Sequence, residues 1–538
     1  PLNLGNIQTR IWSGFSYDLD SKIAFINTAN PGGLFGGKRT EDDLSTSLIA
    51  IDTNNGKILW QFQHIIHDVW DLDMVGDPII LENLKGKKSV LSFSKTGDLI
   101  YLDAYTGKPI FENSIITVEV PQSDVPGEVL SKFQKKIILP ESVSNVIVDI
   151  ENDFSHLDAI NKSYVKSKLK YARSEEWLPP SLNYDALIYG LHGGPQWMGG
   201  ALNFQNNSVI IPFNKDPWLL RLKYQDSRYT QIKKYSIKFR KLIDLIKSFF
   251  QKQYSKLKTY FNKDNLIKNE HINLDDVNVD LRWANFQKEE KIANIIYKMF
   301  PHSNSGKLYT KNCASCHGVA RQGTYENEYE GDYYVPSLIG ISKTKKGESM
   351  SNFKKLKKTH DFHGAKFNIS KNELKDIYKK FIKLDNSLDK NGHLTIDYAW
   401  QFLLDKDGYP ASKPPWGGIA NVSLDSGKIL WSVPFGARFD SSGEIVAVGD
   451  KNYGGVMTTK SGLVFASGTP DKMARAFDIN SGRELWSRKM PSTGSAQPMT
   501  YFHKGCQYVA FVASGGQFVG FDKDGDSLVT FKLKDCNI

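Results

Sequence analysis

Cysteine is scarce in this chain, with four residues in 538. A zinc site would need a second ligand pair close to the first. Cys506 and Cys536 lie far from the other two cysteines and do not supply one. Long hydrophobic runs are also missing. No stretch of 18 or more apolar residues exists, which excludes a membrane-spanning helix. The polar bias of a disordered chain is absent too: 40% hydrophobic and 12% aromatic residues indicate a folded protein. A net charge of +10 is spread over many lysines, and no nucleic-acid module accompanies it. It reads as solvated surface, with no nucleic-acid partner expected. An initiator methionine is lacking as well. The chain opens on Pro1, so we expect a leading segment, with any targeting signal, to lie upstream.

What is present begins with Cys313-Ala-Ser-Cys316-His317. C-x-x-C-H is the attachment signal of a c-type haem. Two intervening residues set the thiols at the separation of the porphyrin vinyls. His317 then lies beneath the iron as an axial ligand. Covalent haem implies a compartment outside the cytoplasm, with a bacterial periplasm expected.

A repeat runs through both ends of the chain. Asp52-Thr-Asn-Asn-Gly56-Lys-Ile-Leu-Trp60 has a glycine four residues after Asp and an aromatic four further on. Asp103 to Phe111, Ser423 to Trp431 and Asp478 to Trp486 repeat the spacing, with Ser replacing Asp in the third. Each copy predicts a strand, a glycine-bearing hairpin turn and a second strand ending in an aromatic. Neighbouring copies are separated by 51 residues (Trp60 to Phe111) and 55 residues (Trp431 to Trp486). A four-stranded unit of that period, docked by its aromatic, is a propeller blade.

Residues 1–225 and 406–538 are accordingly assigned to propeller blades. Trp197 to Asn203 and Ser208 to Pro212 are part of another blade. Residues 226–300 differ: apolar Phe239, Leu242, Ile243, Ile246, Phe249 and Phe250 recur at helical spacing among lysines. This basic amphipathic stretch is expected to pack on the body or, over 233–261, to dock an anionic membrane or an acidic partner. Residues 301–405 hold the haem signal and a capping box, Ser370-x-x-Glu373. The box opens a helix with Leu374, Ile377, Tyr378, Phe381 and Ile382 on one face, as in the last helix of a small cytochrome c. The expected fold is mainly β, a partial eight-bladed-type propeller with an α-helical cytochrome c domain inserted between blades. For the second axial ligand the order of preference is His363, His360, then Met350; a second histidine lowers the iron potential relative to methionine.

Further motifs appear in order: Trp12-Ser-Gly-Phe-Ser-Tyr-Asp18, Asn27-Thr-Ala-Asn30-Pro31, His67-Asp-Val-Trp-Asp71 and Ser94-Lys95-Thr-Gly97. With Asn452-Tyr-Gly-Gly455 and Gln497-Pro-Met-Thr-Tyr501, the chain resembles the quinoprotein dehydrogenases. These are the methanol, alcohol and membrane glucose dehydrogenases that use pyrroloquinoline quinone (PQQ). The likeness covers residues 1–112 and 416–538 well and 180–225 weakly.

The resemblance implies roles residue by residue. Trp12 would form the floor under the planar quinone. Asn30 and Asp71 would ligate Ca²⁺ through oxygen. Asp71 would also remove the substrate hydroxyl proton. Lys95 would face the quinone oxygens, where charge builds on reduction. Alcohol enzymes carry arginine there and glucose-type enzymes lysine, which tilts the substrate towards a sugar or polyol. Trp197 and Asn452 are candidates for the cofactor's rim. The haem would pass electrons to an external cytochrome or quinone, and the protein would be periplasmic and membrane-associated at most peripherally. The family's propeller has eight blades with the floor tryptophan about halfway along. Here it stands at residue 12, so five or six blades and an open ring are expected. An alternative is a haem-bearing propeller without catalysis, serving as electron carrier or scaffold. An oxidising compartment would let Cys506 pair with Cys536.

Overall fold

The computed structural model describes residues 10–31, 44–82, 87–125, 128–226, 338–344, 349, 351, 370–390, 394–516, 525–533 and 536. The chain divides into two compact units, residues 1–222 with 328–331 and 398–538, and residues 223–327 with 332–397.

The first unit is built of small antiparallel sheets. Strands β1 (Phe15–Asp18), β2 (Ile23–Asn27), β3 (Ser47–Asp52) and β4 (Lys57–Gln63) pair in sequential order. Along β2 burial alternates, with Ile23, Phe25 and Asn27 inside and Ala24 and Ile26 half-buried, the period of a pleated strand. A second sheet follows: β5 (Met74–Glu82), β6 (Lys88–Ser94) and β7 (Leu99–Asp103). Next come the hairpin β8 (Ile115–Glu119) and β9 (Phe133–Ile137), and helix α1 (Ala159–Lys168), capped by the Asp158 side chain. After β10 (Ala172–Arg173) and β11 (Asp185–Tyr189) come β12 (Ala201–Asn203), β13 (Ser208–Asn214) and β14 (Pro217–Asp226). Beyond the long intervening segment lie β15 (Leu394–Phe402), β16 (Gly417–Ser423) and β17 (Ile429–Pro434).

Two sheets close across that segment, one of them in the order β10-β11-β14-β15. β13 pairs with β16 from Ser208↔Ser423 to Asn214↔Gly417, giving the order β12-β13-β16-β17. The sequence suggested an insertion between blades, but the long segment departs after β14 and returns at β15, two strands of one sheet. The apolar runs at Ser208 and Trp416 looked like separate blades because nothing local marks two strands about 200 residues apart as neighbours. The hairpin β18 (Ala437–Phe439) and β19 (Ile445–Val448) precedes the sheet of β20 (Val456–Thr458), β21 (Leu463–Ala466), β22 (Met473–Asp478) and β23 (Glu484–Lys489). The last sheet is β24 (Met499–His503), β25 (Cys506–Ala513) and β26 (Ser527–Lys532).

Four hydrophobic clusters stack five sheets face to face. Phe25, Leu48 and Ala50 meet Val90 and Ile100; Leu91 and Phe93 meet Val209, Ile211 and Val422. Ile210 and Ile419 meet Val456, Val464 and Phe477; Ala474 and Met490 meet Val509 and Phe511. Face-to-face stacking of small sheets is propeller construction. The series runs from the β1–β4 sheet to the β24–β26 sheet. At its ends Phe15 and Ile58, and Met499, Val512 and Leu528, are exposed.

The repeat explains the stacking. The Trp60 indole N–H donates to the Ala104 carbonyl (2.9 Å), and that of Trp431 donates to the Ile479 carbonyl (3.1 Å). Under these rings lie Gly107 and Gly482, at φ +67° and +70°. A Cβ on either would come within 2.7 Å of the indole. Glycine is therefore required twice, for the left-handed turn and for the ring above it. Asp52, Asp103 and Asp478 accept turn N–H groups through Oδ1, and Ser423 Oγ accepts the Ser426 N–H in the fourth copy (3.2 Å). The strand expected to end at Phe111 is reduced to a Leu102–Pro109 bridge, because proline cannot donate to the ladder. Cys506, opening β25, is disulfide-bonded to Cys536, with Cα atoms 5.6 Å apart.

In the second unit, α2 (Lys371–Lys390) starts at the expected capping box. Ser370 N donates to Glu373 (2.8 Å), and Glu373 N donates to Ser370 Oγ (3.2 Å). Ile377, Tyr378 and Phe381 are buried, while Leu374 and Ile382 are partly so. Asp385 accepts the N–H groups of Gly340 and Ser342, fastening the helix to the 338–344 turn. Cys313, Cys316, His317, Met350, His360, His363 and the 233–261 segment lie outside the described residues. No helix among the described residues is long and apolar enough to cross a membrane.

Candidate active site

The His67–Asp71 stretch is held by its inward-facing members. Asp68 accepts the N–H groups of Trp70 (2.9 Å) and Leu72 (3.0 Å) and the Thr46 hydroxyl (3.1 Å). Trp70 donates to the Leu178 carbonyl (2.8 Å) and meets Trp177 edge-on at 5.4 Å. His67 pairs with Glu128 at 2.5 Å. With both flanks fixed, Asp71 takes a left-handed conformation, φ +63°, which aspartate tolerates better than most residues. Its carboxyl then turns towards Lys95.

Lys95 follows β6 on a tight turn closed by Gly97 N donating to Ser94 O (3.0 Å). Its ammonium is buried at 4% exposure. It donates to the Asp71 carbonyl (2.9 Å) and lies 3.3 Å from Asp71 Oδ2 and 2.6 Å from Asp73 Oδ2. Burial alone would lower the Lys95 pKa, but the two carboxylates outweigh it and raise it, so the cation is fixed. Asp71 moves the other way from an ordinary ion pair. Burial, with Asp73 and Asp68 nearby, holds it well above the usual carboxylate range despite Lys95.

The aromatic residues converge on the same cation. Lys95 Nζ sits 5.2 Å from the Trp197 ring, and Trp197 meets Trp12 at 6.5 Å with planes at 64°. Trp12 is 62% exposed, leaving ring surface for a flat partner. Trp197 donates to the His192 carbonyl (3.1 Å), and the His192 ring packs on Trp218 at 4.2 Å. Burial, then Lys95 and Lys451, push the His192 pKa down to about 3, so the ring is neutral. Asn30 donates its N–H to Asp73 Oδ1 (2.7 Å), and its buried side-chain Nδ2 has no hydrogen-bond partner. Asn452 is fully buried as a tie between strands: its Nδ2 donates to Phe213 O and Asn214 Oδ1, both at 3.0 Å.

Of the residues singled out in sequence, Trp12, Asp71, Lys95 and Trp197 come together, and Asn30 joins them through Asp73. Sequence reasoning missed Asp73, the nearest carboxylate to Lys95, and His192. Asp73 stands two residues after Asp71 with no motif of its own, and only the folded turn shows which acid touches the lysine. Two indoles and a buried ammonium fit a planar, anion-bearing π-system. The fit to Ca²⁺ is partial. Asn30 and Asp71 would supply only two of the six to eight oxygens such an ion takes. No group of three or more His, Cys, Asp or Glu able to hold a metal occurs among the described residues.

Comparison with known proteins agrees with this architecture. Residues 4–267 and 349–509 match the glucose/ethanol/alcohol dehydrogenase β-propeller domain, and residues 304–379 match cytochrome c. Quinoprotein glucose dehydrogenase A of Acinetobacter calcoaceticus is 22% identical over 97% of this chain and 49% of its own. The glycerol dehydrogenase large subunit of Gluconobacter thailandicus is 36% identical over 24% of this chain and 18% of its own. The crystal structure of quinohemoprotein alcohol dehydrogenase from Comamonas testosteroni aligns with 97% of this chain and 48% of its own, at 15% identity and a TM-score of 0.43. The chain spans about half the length of the curated relatives it matches over nearly its whole extent. The propeller repeat, the inserted cytochrome c match and the family match over most of the sequence lead to one statement: this chain belongs to the glucose/ethanol/alcohol dehydrogenase β-propeller family.

Proposed function

We propose that this chain is the catalytic part of a quinohaemoprotein dehydrogenase that oxidises an alcohol, polyol or sugar. The observation that carries the reading is that Asp71, Lys95, Trp197 and Trp12 form one contiguous cluster. PQQ, when bound, supplies the two-electron oxidant. Trp12 and Trp197 would hold it by their rings, and Lys95 would face its oxygens with a fixed positive charge. Asp71, beside Lys95 and raised above the usual carboxylate range by burial, would take the proton from the substrate hydroxyl. Asn30 and Asp71 would contribute oxygen ligands to Ca²⁺. The neutral ring of His192 and the surrounding indoles would exclude water.

Cys313 and Cys316 would attach a c-type haem and His317 would ligate its iron, with His363, His360 or Met350 as second ligand; the haem would supply one-electron transfer towards an external cytochrome or quinone. A periplasmic location follows from covalent haem, with residues 233–261 offering peripheral membrane contact. The test is reduction of a dye acceptor by the full-length protein loaded with PQQ and Ca²⁺. Turnover on a primary alcohol, polyol or sugar is expected, and Asp71→Asn should lower kcat by about 10²–10⁴-fold. Inactivity on every such substrate would overturn the reading.

A further inference from the structure

Lys95 has three N–H donors, and three acceptors surround it: the Asp71 carbonyl at 2.9 Å, Asp73 Oδ2 at 2.6 Å and Asp71 Oδ2 at 3.3 Å. Every donor is used. A ligand oxygen entering the pocket can gain a hydrogen bond from Lys95 only if one of these is given up. The longest contact, to the Asp71 carboxyl, is the weakest of the three.

The two carboxylates differ in setting as well as distance. The Asp73 side chain is 4% exposed and Asp71 is 19% exposed. Asp73 has a second engagement, since its Oδ1 accepts the Asn30 N–H at 2.7 Å. It thereby ties the residue proposed for the metal to the residue proposed for the quinone. The Lys95 N–H also donates to the Asp73 carbonyl at 3.0 Å, so the two backbones are joined.

We propose that Asp73 is a positioning residue: it keeps Lys95 and Asn30 in place while the third hydrogen bond of Lys95 passes from the Asp71 carboxyl to an acceptor oxygen of a pocket ligand. The transfer frees the Asp71 carboxyl to meet a substrate hydroxyl. Asp73 stays bound throughout and touches neither ligand nor substrate. This rests on the functional reading above for the identity of the ligand, but the holding role of Asp73 does not.

The decisive measurement is amine labelling of the full-length protein, followed residue by residue by mass spectrometry. In the wild type, Lys95 should be nearly inert. Asp73→Asn should speed its labelling by about ten-fold, the loss of one charge-assisted hydrogen bond, with other lysines unchanged. Asp71→Asn should change Lys95 labelling little. The opposite ranking would overturn the proposal, because Asp71 would then be the holding partner; uniform acceleration at all lysines would overturn it too, as general loosening. Equilibrium uptake of PQQ, followed by quenching of tryptophan fluorescence, supplies the second readout. Asp73→Asn should raise the half-saturating PQQ concentration and Asp73→Glu should partly restore it, whereas Asp71→Asn should lower kcat with uptake little changed. A wild-type chain that takes up no PQQ would refute the functional reading, while the labelling result would still decide the role of Asp73.

Discussion

Lys95 carries the site's charge arrangement, and its removal has a defined cost. Lys95→Met leaves Asp71 and Asp73 buried beside each other without their cation. A loss of about 3–5 kcal/mol is expected in urea unfolding, because a buried charge is left uncompensated. Asp216 and His192 make a second residue-scale prediction. Asp216 Oδ2 accepts the Trp218 indole N–H (2.9 Å), and burial, only partly offset by Lys451, pushes its pKa up to about 6. The folded state therefore binds a proton that the unfolded chain has released between about pH 4 and 6, and Asp216 loses stability as pH rises through that window. His192 has the opposite sign. Held down to about 3, it stays neutral in the fold while the unfolded chain protonates below about 6.5, so its contribution is lost on acidification. The two slopes oppose each other in the wild type. Asp216→Asn keeps the indole acceptor and removes one of them. Unfolding across a pH series should show the variant more stable at pH 7 and more steeply destabilised between pH 6 and 4.

At the scale of elements, the blade motif joins one sheet to the next through an indole on a glycine. Gly56 and Gly482 share the left-handed conformation, at φ +73° and +70°, but differ in what lies above them. Around Gly56 a Cβ meets nothing within 4 Å, whereas at Gly482 it meets the Trp431 ring at 2.7 Å. Gly56→Ala should cost about 1 kcal/mol for backbone strain alone. Gly482→Ala should cost about 2–3 kcal/mol, since the ring must also move. Equal losses in urea unfolding would show that the ring contact contributes nothing. The same comparison explains why the repeat was readable: each side of the contact is a local feature with fixed spacing. The departure of the chain from within a blade was not, because the β13–β16 ladder depends on partners far apart in sequence.

For the molecule as a whole, the Cys506–Cys536 disulfide fastens the final strand-bearing segment across a separation of 30 residues. Reduction, or Cys506→Ser, should destabilise the last sheet by about 3–4 kcal/mol on the chain-entropy scale. Hydrogen exchange in β25 and β26 would report it, with the β1–β4 sheet unaffected. Scattered cysteines could suggest such a pairing but not establish it, since a disulfide needs Cα atoms within a narrow distance range that only the fold supplies.

The sequence by itself determined the blade period, the haem signal, the capping box of α2 and the order of Trp12, Asn30, Asp71 and Lys95. Each depends on residues close in the chain or on motifs with fixed spacing. Tertiary structure alone decided that Lys95 is shared between Asp71 and Asp73, that His192 is kept neutral beside two lysines, and that two sheets are assembled from both sides of the long segment. The reason is physical. Burial and the Coulomb interaction depend on distance in space, and a sequence fixes that distance only between near neighbours.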